Sequence, residues 1–424
     1  MPPLSRRARA MTALTELDGA ESEAQGTAAS GPLRLAVVGV SEAGPCGVRD
    51  HGRLLAQELE REGLKCSRHW MERSRPSLRG ALAEARAWGA GLPGALAGER
   101  AEAVVVHYSC FASAHRGVPV FSYPLTRALA RAGLPVVAVM HELTYPFGRD
   151  GARGLLWATT QRLALVQLMR AIDAAVVTTE DRREWLAGSR WLPRRPVAFA
   201  PVFSNLPPPS GRPREPGPRP VVGQFGYHYD GSGEFVLQAL RSLADEGRAP
   251  ALRLIGSPGA DSRAGRAWRR RAGELGVSEH LTFTGLLEPQ PLSDELAAAD
   301  LLVFPDPPGP SSRKGTLAAS LASGTPIVAL DGPLTWEELR RAEALRIVPR
   351  DGTMLAREIA AMLDDPAARA ELGARGRRFA AASMGVARTA AAVRDLLGDL
   401  VGPARSARRE QPAPAAPGGP ATGA

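Results

Sequence analysis

Short apolar runs, rich in valine and leucine, alternate along this chain with stretches in which apolar residues recur every three or four positions. The runs read as buried strands at 33–40, 104–107, 136–140 and 174–178, with a weaker one at 197–201. Helical spacing fills the intervals at 47–62, 121–132 and 155–171. The alternation then breaks at 207–220, where seven of fourteen residues are proline, a run that cannot pack inside helix or sheet. After it the pattern resumes, with strands predicted at 221–225, 252–255, 281–283, 301–304, 327–330 and 345–348. Strand and helix alternating in two blocks predict an α/β fold of two doubly wound, Rossmann-like domains facing across a cleft. The predicted organisation is a disordered segment over 1–31, a first domain over 32–206, a linker over 207–220 and a second domain over 221–385. A final helix over 386–403 and a disordered Pro/Ala/Gly-rich tail over 404–424 complete it.

Composition narrows the class. At 424 residues and 44% hydrophobic content the chain can bury two cores, and no stretch approaches the roughly 18 apolar residues a bilayer span needs. The first thirty residues lack the apolar segment of a secretory signal, so a cytoplasmic location is expected, with the inner membrane face as an extension of it. Cys46, Cys66 and Cys110 show no C-x-x-C spacing and read as reduced thiols rather than as a disulfide framework or a zinc site. A net charge of +9 points to anionic partners, but only 5% of residues are aromatic and the arginines are dispersed, which disfavours nucleic acid. The charge suits anionic small molecules, or loose attraction to an acidic membrane surface. The 155–170 helix is amphipathic with Arg153, Arg162 and Arg170 nearby, but packing on its own sheet gives the same pattern and is the favoured reading.

Candidate chemistry sits where predicted strands end. Pro310-Ser311-Ser312-Arg313-Lys314-Gly315-Thr316 reads as a cationic turn feeding a helix that stops at Gly324, a place to hold an anion on Arg313, Lys314 and the amides of Gly315 and Thr316. Lys314 is one of only two lysines, with Lys65. His141 and Glu142 follow a strand directly, and His107 ends another. Tyr145 stands where H-E-x-x-H would need its second histidine, so a zincin site is excluded. The loop from Gly39 to Gly47 is glycine-bearing but lacks the G-x-G-x-x-G spacing of dinucleotide binding, and it places Arg49, Asp50 and His51 at a helix entrance. The loops through Gly226 and Tyr227 and through Gly256 and Ser257 would lie on one rim of the second sheet beside the cationic turn, making a nucleotide pocket.

Taken together, Gly47-Val48-Arg49-Asp50, His141-Glu142, 222–226, Leu254-Ile255-Gly256, Leu281-Thr282-Phe283-Thr284-Gly285, 299–305 and Ala322-Ser323-Gly324-Thr325-Pro326 resemble a GT-B fold glycosyltransferase of the family 4, or group 1, type over residues 33–400. The resemblance implies transfer of a sugar from a UDP- or GDP-linked donor, usually with retention, without a bound metal and with no other cofactor. The acceptor would be a glycan, a lipid-linked or a small molecule. It implies donor binding by the second domain through Gly226, Tyr227, Ser257, Arg313, Lys314, Gly315 and Thr316. The first domain would use His141, with Glu142, toward the transferred sugar, Gly47 and Arg49 toward the acceptor, and Asp50 as a base. The chain departs from the family's two-glutamate pattern, because Ser311 and Ala319 occupy those places, and the loop arginine and lysine are replaced near Tyr227 and Ser232. Ser312-Arg313-Lys314-Gly315-Thr316 resembles the turn of a subgroup without the glutamates. Two alternatives follow from those departures and from the shared scaffold: a catalytically silent nucleotide or glycan binder, and a nucleotide-sugar epimerase.

Overall fold

Strands of a parallel sheet are covered by helices on both faces, so they read as continuous apolar runs rather than as alternation. The computed structural model describes residues 31–410 apart from 43, 45, 75–76, 212–216, 230–231 and 257. Of the segments expected to be disordered, 1–31 and 404–424, residues 1–30 and 411–424 fall outside these residues, as does the middle of the Pro-rich linker, while 404–410 are helical.

The first domain comprises β1 (Arg34–Glu42), α1 (Gly47–Arg61), β2 (Lys65–Arg73), α2 (Leu78–Gly98), β3 (Ala103–Ser109), α3 (Ser122–Ala132), β4 (Val136–Glu142), α4 (Gly151–Ala171), β5 (Ala174–Val177), α5 (Glu180–Gly188) and β6 (Val197–Phe199). The second holds β7 (Val221–Phe225), α6 (Ser232–Asp245), β8 (Ala251–Ile255), α7 (Arg263–Glu274), β9 (Leu281–Gly285), α8 (Pro289–Ala298), β10 (Leu301–Phe304), α9 (Gly315–Ser323), β11 (Ile327–Leu330), α10 (Glu337–Arg341), β12 (Arg346–Val348), α11 (Gly352–Asp364) and α12 (Pro366–Ser383). Each domain carries a six-stranded parallel sheet, ordered β2-β1-β3-β4-β5-β6 and β12-β11-β10-β7-β8-β9. The order reverses between β1 and β3 in the first sheet and between β7 and β10 in the second. Those switch points are where doubly wound folds open a crevice at the carboxyl ends of their strands.

Two elements, β2 and α2, do not follow the apolar pattern. β2, Lys-Cys-Ser-Arg-His-Trp-Met-Glu-Arg, pairs only with β1 at the sheet edge and leaves most side chains half-exposed, so polar residues suffice there. One of them is structural. The Trp70 ring lies against β1 and α1 so closely that a Cβ on Gly39 would come within 2.3 Å of it, and one on Gly52 within 2.4 Å. The second element, α2, is capped by Ser77 accepting from the Gly80 amide and packs through Ala81, Ala85 and Gly89. A Cβ on Gly89 would meet Pro124 of α3 at 2.9 Å, so small residues let these helices approach.

Helix α13 (Val386–Glu410) returns the chain to the first domain. Ala390, Val393, Leu397 and Val401 complete the core of Leu55, Leu59, Val105 and Val137, and Arg394 pairs with Glu62 at 2.9 Å. The helix runs seven residues past its expected end at 403, because Ala, Arg and Glu after Pro403 are good helix formers. The domains also meet directly. Ser312 donates to the Thr178 carbonyl at 2.8 Å, and the Val202 amide donates to the Ser312 carbonyl at 2.8 Å.

Candidate active site

The cleft is built from both switch points. On the first-domain side, His107 and His141 lie near the carboxyl ends of β3 and β4, and α1 contributes His51 from its second turn. His107 Nδ1 lies 3.2 Å from His141 Nε2 with the rings stacked, and His51 meets His141 edge-on at 4.8 Å while lying flat on Phe203 at 3.9 Å. Burial, reinforced by the neighbouring imidazoles, holds His51 and His107 well below the ordinary histidine range. Burial also takes His141 down to about 4, with the nearby Glu142 carboxylate opposing the shift and Arg182 adding to it. All three are neutral at physiological pH. One nitrogen from each lies within 4.8 Å of the others, the one such group of metal-ligand type among the described residues. The 3.2 Å contact is satisfied by a single shared proton between neutral rings.

Glu142 accepts a hydrogen bond from the Ser109 hydroxyl. Beside it, Arg182 enters from α5, donating to the His141 carbonyl and to Thr178 Oγ1. Burial lowers its pKa, and the Arg313 guanidinium facing it from the second domain lowers it further. Glu142, Arg149, Arg182 and Arg313 line one cavity of ≈ 370 Å³, walled by Phe111, Tyr145 and Trp185. The Arg313 Nε is buried there without a partner. Three guanidinium groups around one carboxylate make an opening for an anion, since mutual repulsion is relieved only by negative charge.

On the second-domain side, the loop after β7 and the turn before α9 straddle the switch point. Gly226, at φ +64°, lies so close to Thr316 that a Cβ would meet the threonine methyl at 2.9 Å. Gly315 opens α9, and its exposed backbone puts the helix amino end on this rim. The cationic turn divides its labour. Arg313 reaches the cavity shared with Glu142, whereas Lys314 pairs with Asp306 at 3.0 Å.

Several expected site residues sit elsewhere. Tyr227 is a core side chain: its ring meets Phe283 and its hydroxyl accepts from the Gly259 amide at 2.8 Å. Ser257 lies outside the described residues. Arg49 turns toward the sheet edge, donating to the Gly44 carbonyl at 2.6 Å and to Glu72 at 3.3 Å. Gly47 is exposed, and its carbonyl accepts from Asn205 at 3.1 Å. Asp50, one residue before His51 and so rotated away on α1, lines a separate cavity of ≈ 630 Å³ on the hinge side with Arg53, Asn205 and Arg377. A larger hollow, ≈ 990 Å³, lies at the amino edge of the second sheet around Arg219, Asp300 and Pro326, away from the strand ends. The sequence reading omits Arg182 and Asp306; both stand just beyond strand carboxyl ends, the signal that singles out His141.

The paired switch points and two parallel sheets are the architecture of GT-B glycosyltransferases, and residues 220–365 match the family model described as Glycosyl transferases group 1. Over that stretch the chain is similar to this family, and its two domains together have the GT-B fold. Sucrose-phosphate synthase from Thermosynechococcus elongatus superposes with a TM-score of 0.64 at 17% identity, covering 88% of this chain and 100% of that one. HepE of Anabaena, solved with UDP and glucose, gives a TM-score of 0.59 at 15% identity and covers 87% and 100%. A protein described as a putative UDP-N-acetylglucosamine 2-epimerase from Listeria monocytogenes gives 0.52 at 15% identity, covering 82% and 94%. No curated protein matches this sequence.

Proposed function

We propose that the chain transfers a sugar from a UDP- or GDP-linked donor to an acceptor hydroxyl, with retention and without a resident metal ion. Support comes from Arg313, which lines one cavity with Arg182 and Glu142 where the two strand-end crevices meet and whose Nε has no partner. The donor diphosphate lies over the rim formed by Gly226 and the amides opening α9, with Arg313 on its oxygens. As the bond from the sugar's anomeric carbon to the diphosphate breaks, the electron pair leaves with the phosphate, and fixed positive charge meets it there. The acceptor oxygen bonds to that carbon and its proton passes to the departing phosphate oxygen.

His141 meets the transferred sugar in this reading. Its Nε2 is engaged by His107, which leaves Nδ1 for a sugar hydroxyl, and its neutrality lets it either donate or accept. Glu142 lies beside it on the acceptor side. With Asp50 on the hinge side, a base role for it does not follow from its position, and the diphosphate itself takes the proton.

Calorimetric titration with UDP and GDP tests the reading. One of them binds the wild type, and Arg313→Ala weakens that binding about tenfold to a hundredfold, the loss of charge-assisted hydrogen bonds worth about 1.5–3 kcal/mol. Unchanged affinity, or no binding of either nucleotide, refutes it. Incubation with UDP- and GDP-sugars and no acceptor separates the epimerase: an epimerised sugar appearing in that mixture overturns transfer.

A further inference from the structure

We propose that the outer face of α4 and the aromatic rim beside it dock on the surface of a bilayer containing anionic lipid. The sequence pattern of this helix is ambiguous, because a helix packed on its own sheet needs only one apolar face. α4 has two. Ala158, Ala164, Leu165, Leu168 and Met169 are buried against the sheet, yet Leu155, Leu156 and Leu163 are 58%, 51% and 56% exposed. Positions 155, 156, 159 and 163 fall on one outward stripe, and Phe147, 51% exposed, flanks it. Single exposed leucines need no explanation, but a clustered stripe beside an exposed aromatic does.

Charge specifies the occupant. Residues 147–195 hold nine arginines against five acidic residues. Arg153 packs over Trp157 at 4.9 Å and Arg162 over Phe147 at 3.8 Å, so cations border the apolar stripe directly. Arg183, Arg190 and Arg194 are exposed and make no ion pair among the described residues. Apolar side chains ringed by guanidinium groups, with tryptophan at the margin, match the boundary between acyl chains and anionic headgroups. Trp185 and Trp191 are exposed as well, 38% and 46%, edge to face at 5.9 Å, and Trp185 shares a cavity with Tyr145 and Arg149. No described helix is long and apolar enough to cross a membrane, so the contact is interfacial.

The surface leads into the cleft. Trp157 meets Tyr145 at 5.3 Å, Tyr145 meets Phe111 at 6.4 Å, and Phe111, Tyr145 and Trp185 wall the cavity that holds Glu142 and Arg313. A protein seated by this face opens that cavity toward the bilayer. The docking surface itself does not depend on the transferase reading.

Flotation of the full chain with vesicles is the test. Vesicles of phosphatidylcholine mixed with phosphatidylglycerol should carry the wild type, phosphatidylcholine alone much less, and high salt should release it. Leu155→Glu/Leu156→Glu/Leu163→Glu should lower the partition coefficient about tenfold or more, with circular dichroism unchanged because these side chains are exposed. Arg153→Glu/Arg170→Glu, which keeps the stripe, should remove the salt dependence first. The proposal is overturned if the wild type floats with neither vesicle, or if the triple variant floats as the wild type does. It is also overturned if light scattering shows a dimer that the triple variant dissociates, since the face then meets a second copy.

Discussion

Lowering the pH should destabilise this protein through a specific group, the stacked imidazoles at the ends of β3 and β4. A histidine in the unfolded chain titrates near 6.5, whereas His141 in the fold titrates at about 4. Between those values the unfolded state binds a proton that the folded state does not, so stability rises with pH and falls as the solution is acidified through this window. Above 6.5 the group contributes nothing either way. From pH 7 to pH 5 the linkage amounts to about 2 kcal/mol for His141 alone, and His51 and His107, also depressed by burial, act in the same direction. Depressed carboxylates such as Glu234 and Asp331 lose their stabilisation at lower pH, so they do not imitate the effect. Urea unfolding at pH 7, 6 and 5, on the wild type and on His141→Asn, isolates the contribution. The wild type should lose about 2 kcal/mol more than the variant over that range. Parallel declines would refute the placement of a neutral imidazole there.

Other residues give independent checks. Gly39→Ala drives a methyl group into the Trp70 ring and should lower the urea midpoint by an amount corresponding to about 1–3 kcal/mol, while Gly91→Ala, with open space around it, should not. Asp306→Asn removes the partner that holds Lys314 and should tighten nucleoside diphosphate binding a few-fold, about 1 kcal/mol, measured by calorimetry. Ser312→Ala leaves the buried Thr178 carbonyl without its donor, costing about 1–3 kcal/mol. It should depress kcat more than nucleotide affinity, because it loosens the turn against the first domain and not the nucleotide rim.

The central strands were legible because both faces of each are covered, which leaves runs such as Val104-Val105-Val106 with no polar interruption. The edge strand β2 was not, since a strand paired on one side keeps polar residues. The small-residue helix α2 hid for a different reason, as its contacts depend on alanine and glycine rather than on an apolar stripe. The site divides similarly. His141 and Glu142 could be found by position, immediately after a strand. Arg182 lies five residues beyond β5, in the first turn of α5 behind Glu180 and Asp181, which mask its charge in one dimension. Lys314 drew notice by its rarity, yet Asp306, eight residues earlier across the turn, determines what its ammonium does. Tyr227 shows the converse error. A glycine loop places a residue near a rim without saying whether its ring turns outward, and the space beside Phe283 turned it inward.

The departures from the two-glutamate pattern have a physical counterpart in the fold. Ala319 is buried among Leu317, Leu321 and Ile327, and Ser311 is buried as well, so neither backbone position offers a carboxylate to the cleft. A fixed negative charge there would need solvation that this packing does not provide. On the reading proposed above, donor recognition runs through what remains at the rim, namely backbone amides, Arg313 and the Asp306-restrained Lys314. Arg313 also differs in where it acts. It reaches toward Arg182 and Glu142 of the first domain, and Ser312 beside it is hydrogen-bonded to both Thr178 and Val202. Phosphate charge, domain contact and the carboxylate near His141 are therefore joined through one turn. On that reading, an anion between Arg182 and Arg313 would remove a repulsion between the domains, so donor binding and domain contact would favour each other.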